Sequence, residues 1–187
     1  MSTNPLIPSN IFLVGPMGVG KTTIGKQLSE KLNLTFRDSD QEVEESTGAS
    51  IPLIFEVEGE AGFRKRECGA VAKLTYEHNV VLATGGGVVL NEQNRICLKQ
   101  NGYVIYLHAT VEDLLERTAF CTHRPLLKTE NPRERLEQIL AERESLYKEV
   151  ADAVIRTGRR SKQEVLRRVL RCLSSQNAYY RKVLSIF

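Results

Sequence analysis

Residues 15–22 of the chain read GPMGVGKT, with glycine at the first and sixth places followed by lysine and threonine. That pattern suits a polyphosphate. Glycines let successive backbone N–H groups turn inward, a helix starting at the loop adds the positive end of its dipole, and Lys21 reaches the β- and γ-phosphates. Gly18, Val19, Gly20, Lys21, Thr22 and Thr23 are therefore expected around a nucleoside triphosphate, with the Thr22 hydroxyl on Mg²⁺. Such a loop serves kinases, GTPases, ATPases and motors alike, so the second substrate must be read from other residues. GTPases are disfavoured, because no N-K-x-D run is present to read a guanine.

Asp38-Ser39-Asp40 falls at the end of a strand candidate, where the ligand crevices of open α/β sheets lie. Two carboxylates two apart on an extended segment face one side, so one is expected near Mg²⁺ and the other on a substrate hydroxyl. The plainer reading of the same residues is a helix cap and turn before a short helix over residues 42–47. Gly85, Gly86 and Gly87 follow Thr84 directly after another strand candidate, where exposed backbone N–H groups allow close approach of a ligand. Residues 63–67 (FRKRE) put cations on a helix, for which solvated charge is the ordinary explanation. Arg124, in the run RPLL, sits in a loop whose closure would bring it onto a transferring phosphate; His123 beside it reads as exposed.

The elements that must hold these residues follow from periodicity. Residues 10–15 (NIFLVG) are a continuous apolar run, as in a parallel strand buried on both faces. Ile24, Leu28 and Leu32 then give the next helix one apolar stripe. Further strands are expected over residues 34–38, 79–84, 103–107 and, more weakly, 153–156. Strands alternating with helices predict an α/β parallel sheet. Between residues 120 and 133 the periodicity lapses into a loop long enough to act as a lid. Residues 161–174 close the pattern as a helix, with Val165, Leu166, Val169, Leu170 and Leu173 inward and Arg167, Arg168 and Arg171 outward.

The runs GPMGVGKTTIG, FRDSDQEVE, GFRKRE, VVLATGGGVV, HRPLL, ERESLY and IRTGRRS stand in the order and approximate spacing of shikimate kinases. Over residues 10–174 the sequence closely resembles the bacterial members of that family, which share the nucleoside-monophosphate-kinase fold. The resemblance implies a three-layer α/β/α architecture with a five-stranded parallel sheet in the order 2-3-1-4-5 and a mobile lid. It implies transfer of phosphate from ATP to the 3-hydroxyl of shikimate, a step toward chorismate and the aromatic amino acids. By position, Asp40 is expected on shikimate hydroxyls and as the proton acceptor, and Arg64 and Arg143 on its carboxylate. Gly85, Gly86 and Gly87 are expected along the backbone wall of the substrate site, with Gly86 offering N–H contacts. Asp38 is placed by Mg²⁺ through water, one ion per subunit. Arg124 is assigned to the phosphates, and Arg117 and Arg160 to the adenine. The family also implies a monomer. Gluconate kinase is the nearest rival; adenylate kinase and a non-catalytic nucleotide-binding module fit less well.

Length and composition agree with this reading. The 187 residues, 41% hydrophobic and 26% charged, fit a single domain, here set at residues 1–174, with residues 175–187 as a tail in which terminal fraying is expected. Tyr180, Val183, Leu184 and Phe187 nonetheless fall at helical spacing there. Net charge is +3, but residues 156–187 carry nine cations and one acid. Because 16 of the 26 cations are Arg, small phosphorylated and carboxylated ligands account for part of the excess, and no nucleic-acid partner is expected. Four dispersed cysteines, Cys68, Cys97, Cys121 and Cys172, have no metal-ligand spacing and point to a reduced, cytoplasmic setting. Residues 1–10 lack the basic stretch of a signal peptide, and no apolar run is long enough for a membrane span.

Overall fold

The computed structural model describes residues 10–118 and 131–176. Five strands, β1 (Ile11–Val14), β2 (Thr35–Asp38), β3 (Val80–Ala83), β4 (Tyr103–His108) and β5 (Ala153–Arg156), form one parallel sheet. Their order is β2-β3-β1-β4-β5, as the family resemblance implied. The central strand β1 pairs with both β3 (Phe12 opposite Leu82) and β4 (Phe12 opposite Val104).

Alternation along the strands divides the core. Ile11 and Leu13 point into one apolar layer with Ile24, Leu28, Val165, Val169 and Leu173. Phe12 and Val14 point into the other with Val71, Leu74, Leu98 and Tyr147. Each face of β1 is fully buried, which is why its sequence is continuously apolar rather than alternating. At about 1.5–3 kcal/mol per buried side chain, these layers fix where the strand ends present their loops.

Among the described residues seven α-helices surround the sheet: α1 (Lys21–Leu32), α2 (Ser39–Thr47), α3 (Ile51–Thr75), α4 (Glu92–Asn101), α5 (Val111–Thr118), α6 (Pro132–Val150) and α7 (Lys162–Gln176). Their starts are locally encoded. The Asn91 side chain accepts from the N–H groups of Gln93 and Asn94 at α4, and Asn131 accepts from Glu134 N–H at α6, where Pro132 fills the first turn. Asn33 ends α1 in the left-handed conformation. Within α3, Gly59 (φ 70°, ψ −176°) breaks the helical path into two pieces.

Of the segment expected as a lid, residues 120–133, the last two belong to α6, which Asn131 caps; residues 120–130, with Cys121, His123 and Arg124, lie outside the described residues. Helix α7 passes the expected end at residue 174 and reaches Gln176. Tyr180, Val183, Leu184 and Phe187 also lie outside the described residues.

Candidate functional site

The phosphate loop leaves the buried end of β1 and turns into α1 through Gly15, Gly18 and Gly20, all at positive φ. A side chain at Gly15 would run into the Leu107 carbonyl of β4, so the loop and its neighbouring strand pack backbone to backbone. Lys21 is 8% exposed, and its ammonium donates to the carbonyls of Gly15 (2.6 Å) and Pro16 (2.8 Å), across the mouth of the loop.

Thr22 donates its hydroxyl to Asp38 Oδ2 at 2.9 Å, joining the start of α1 to the end of β2. The other oxygen, Oδ1, accepts from the Asp40 N–H at 3.0 Å and so caps α2. The capping reading of this segment thus holds, with the helix starting earlier than expected, but the expected shared face does not. Ser39 begins a helix instead of continuing the strand, so the two carboxylates part. Asp38 faces the phosphate loop, whereas Asp40 faces the triple glycine: a Cβ built on Gly85 would stand 2.7 Å from Asp40 Oδ1. A hydroxyl and a carboxylate beside a phosphate loop are hard oxygen donors of the kind Mg²⁺ takes alongside water and phosphate. Among the described residues no group of three or more His, Cys, Asp or Glu side chains could hold a metal alone.

Asp40 meets further groups at the triple glycine. The same Cβ on Gly85 would lie 2.8 Å from Glu67 Oε1, and one on Gly87 would collide with the Arg64 guanidinium. Glycine is required here because charged side chains occupy the space. Ser39, fully buried, accepts the Gly85 N–H at 3.0 Å, and the Tyr147 hydroxyl donates to the Gly86 carbonyl. A Cβ on Gly86 would be 3.2 Å from Met17 N, so this wall adjoins the phosphate loop.

Arg64 pairs with Glu67 at 2.8 Å and Glu60 at 3.0 Å. Burial works against the Arg64 charge, but Glu67 and Glu60 outweigh it and hold its pKa above the ordinary value. Glu67 is 1% exposed, and burial pushes its carboxyl up from 4.5 although Arg64 and Arg143 pull it down. One of its oxygens, Oε1, is buried without a hydrogen-bond partner. Arg143, 5% exposed on α6, completes the cationic side.

On the opposite side of β1 lies a cavity of about 440 Å³ lined by Gly18, Val19, Gly20, Thr23, Arg117, Thr157, Arg160 and Val165, among others. Its size suits a nucleoside. Arg117 donates to Val19 O (3.2 Å), Thr157 Oγ1 (3.1 Å) and the Gly158 carbonyl, which ties α5 to the phosphate loop and to the turn after β5. Arg160 pairs with Glu164 at 3.5 Å at the rim.

The structure thus brings Lys21, Thr22 and Asp38 together at the loop. Asp40, Arg64, Arg143 and the three glycines lie on one side, and Arg117 and Arg160 on the other. Sequence reasoning missed Ser39, Glu67 and Tyr147. Glu67 and Tyr147 lie inside the runs GFRKRE and ERESLY, but a lone acid among cations and a lone aromatic at helical spacing carry no chemical signal of their own.

A family model described as shikimate kinase matches residues 17–174. The shikimate kinase of Nitrosococcus oceani is 55% identical over 164 residues, 88% of this chain and 86% of that one. That of Methylococcus capsulatus is 53% identical over 161 residues, 86% of this chain and 90% of that one. Among solved structures, a shikimate kinase from Acinetobacter baumannii in complex with shikimate superposes with a TM-score of 0.88 at 47% identity, covering 92% of this chain and 96% of that one.

Proposed function

This chain belongs to the shikimate kinase family, and from that premise we propose how its residues carry phosphate from ATP to the 3-hydroxyl of shikimate. The reaction makes shikimate 3-phosphate and ADP on the route to chorismate. The observation that carries the assignment of residues is the convergence of Asp40, Glu67 and Arg64 on Gly85 and Gly87, beside the phosphate loop. Shikimate is a small polyol carboxylate, and its site needs cations for the carboxylate and acceptors for the hydroxyls. Arg64 and Arg143 bind the carboxylate, Asp40 accepts from the hydroxyls, and the Gly86 and Gly87 N–H groups border the ring.

The 3-hydroxyl attacks the γ-phosphorus in line with the departing ADP oxygen while Asp40 takes its proton. Lys21 leaves the loop carbonyls for the β- and γ-phosphates, where its charge offsets that of the equatorial oxygens. Thr22 and, through water, Asp38 would hold one Mg²⁺ per subunit, which would supply positive charge to offset that of the phosphates. Arg117 and Arg160 flank the adenine. Arg124, outside the described residues, is assigned to the phosphates by resemblance. The family resemblance is what supports a monomer. Cys68, Cys97 and Cys172 are free thiols, which supports a reduced cytoplasmic setting. Among the described residues no helix is long and apolar enough to cross a membrane.

The test is an ADP-release assay offering shikimate, gluconate and AMP in parallel to wild type and to Arg64→Ala. Wild type should turn over shikimate alone. In Arg64→Ala, loss of a charged hydrogen bond should raise the KM for shikimate by about 10- to 100-fold and leave that for ATP within about twofold. Turnover of gluconate or AMP at a comparable rate, or equal loss for shikimate and ATP, would overturn the reading.

A further inference from the structure

All three carbonyls of the triple glycine, and the first of its three N–H groups, have partners within the protein. Gly85 N–H donates to Ser39 Oγ, the Gly85 carbonyl accepts from Val88 N–H at 3.3 Å, and the Gly87 carbonyl accepts from Leu90 N–H at 3.0 Å. The Gly86 carbonyl has no such backbone partner; it accepts from the Tyr147 hydroxyl. Since a carbonyl and the following N–H belong to one rigid peptide plane, fixing the Gly86 oxygen fixes the direction in which the Gly87 N–H points. The same hydroxyl therefore helps to set the orientation of the Gly87 N–H, in the wall whose neighbours include Asp40, Glu67 and Arg64.

Tyr147 is built for that task. It is fully buried, and its ring stacks on Tyr106 with centroids 5.0 Å apart. Burial pushes its phenol well above the ordinary range, so the hydroxyl remains a donor at any working pH. It stands four residues after Arg143 on α6, which puts the two on one helix face. A single helix therefore carries the carboxylate clamp and the group that orients the glycine wall. The Tyr106 hydroxyl, by contrast, is buried without a hydrogen-bond partner.

We propose that Tyr147 is a positioning residue for the acceptor substrate: by holding the Gly86 carbonyl it sets the Gly86–Gly87 peptide and couples that wall to Arg143 through α6. It touches neither the reacting oxygen nor the phosphate. The inference rests on the assignment of this wall to shikimate, and it predicts an effect on the acceptor site that does not extend to the nucleotide site.

Tyr147→Phe keeps the ring and removes the hydroxyl, leaving a buried carbonyl without its donor. The KM for shikimate should rise about tenfold, the KM for ATP should stay within about twofold, and amide hydrogen exchange over residues 85–90 should quicken about tenfold in the ligand-free protein. Tyr106→Phe, which removes a hydroxyl that makes no bond, should change none of the three. Unchanged shikimate KM and exchange in Tyr147→Phe overturn the proposal. So does a parallel rise in both KM values, and so does failure of both Tyr147→Phe and Tyr147→Met to fold, since either outcome makes the residue scaffold only. If wild type does not turn over shikimate, the acceptor assignment fails; the exchange measurement still decides whether Tyr147 holds the wall.

Discussion

Glu67 shows how one side chain ties the site to pH. Its carboxyl is held above 4.5 chiefly by burial, against the pull of Arg64 and then Arg143. The folded chain therefore keeps this proton to a higher pH than the unfolded chain does. The resulting contribution to stability is complete below the unfolded value and is lost as pH rises through the folded one. Glu67→Gln cannot titrate, so it lacks that loss. Between about pH 4 and about pH 8, the melting temperature of wild type relative to Glu67→Gln should decline with rising pH; a constant difference would show that Glu67 does not titrate in this range. The same residue explains what the sequence concealed. In FRKRE the acid and its neighbouring cations read as solvated charge, and Lys65 does face solvent. Burial of Glu67 depends on the chain folding the triple glycine against it, a contact between residues 18 apart that no local pattern announces.

Among the elements, α3 carries the most consequential irregularity. Gly59 takes a φ of 70° with ψ near 180°, a region closed to other residues, and a Cβ there would meet nothing within 4 Å. The cost of a side chain is thus conformational rather than steric. Gly59→Ala should lose about 1–3 kcal/mol, lowering the melting temperature by about 2–10 °C. Gly69→Ala, in regular helix with equally open space, should be neutral or stabilising, because alanine is the better helix former there. Equal effects of the two would mean that the break is not imposed by the backbone. Strands β1, β3 and β4 were readable because burial on both faces writes itself as an unbroken apolar run. The break in α3 was not, since an isolated glycine in a helical pattern is more often tolerated than used. The Asp38-Ser39-Asp40 segment was half readable: the strand end and the cap followed from residue type and position, whereas the helix starting at Ser39 changed which way each carboxylate points.

Across the whole molecule the core is unevenly supplied. The two layers against the sheet hold most of the buried apolar side chains, while α2 and the start of α3 rest on a small cluster of Val43, Ile54, Phe63 and Ala70. Few buried contacts mean a low free energy of local opening. Amides of residues 40–58 should exchange faster than those of β1 and β3, and shikimate should slow them, because Asp40 sits in the first turn of α2; uniform exchange across both regions would count against this. The net charge of +3 resolves at this scale too: Arg167, Arg168 and Arg171 are exposed on the outer face of α7, away from the cluster of Arg64 and Arg143. Strand β1 stands between the two candidate sites. The residues that line the 440 Å³ cavity and those that meet at the triple glycine form separate sets to either side of the phosphate loop, with Tyr147 reaching the glycine side from α6. In the proposed assignment the two ligands therefore approach the phosphate loop from different sides.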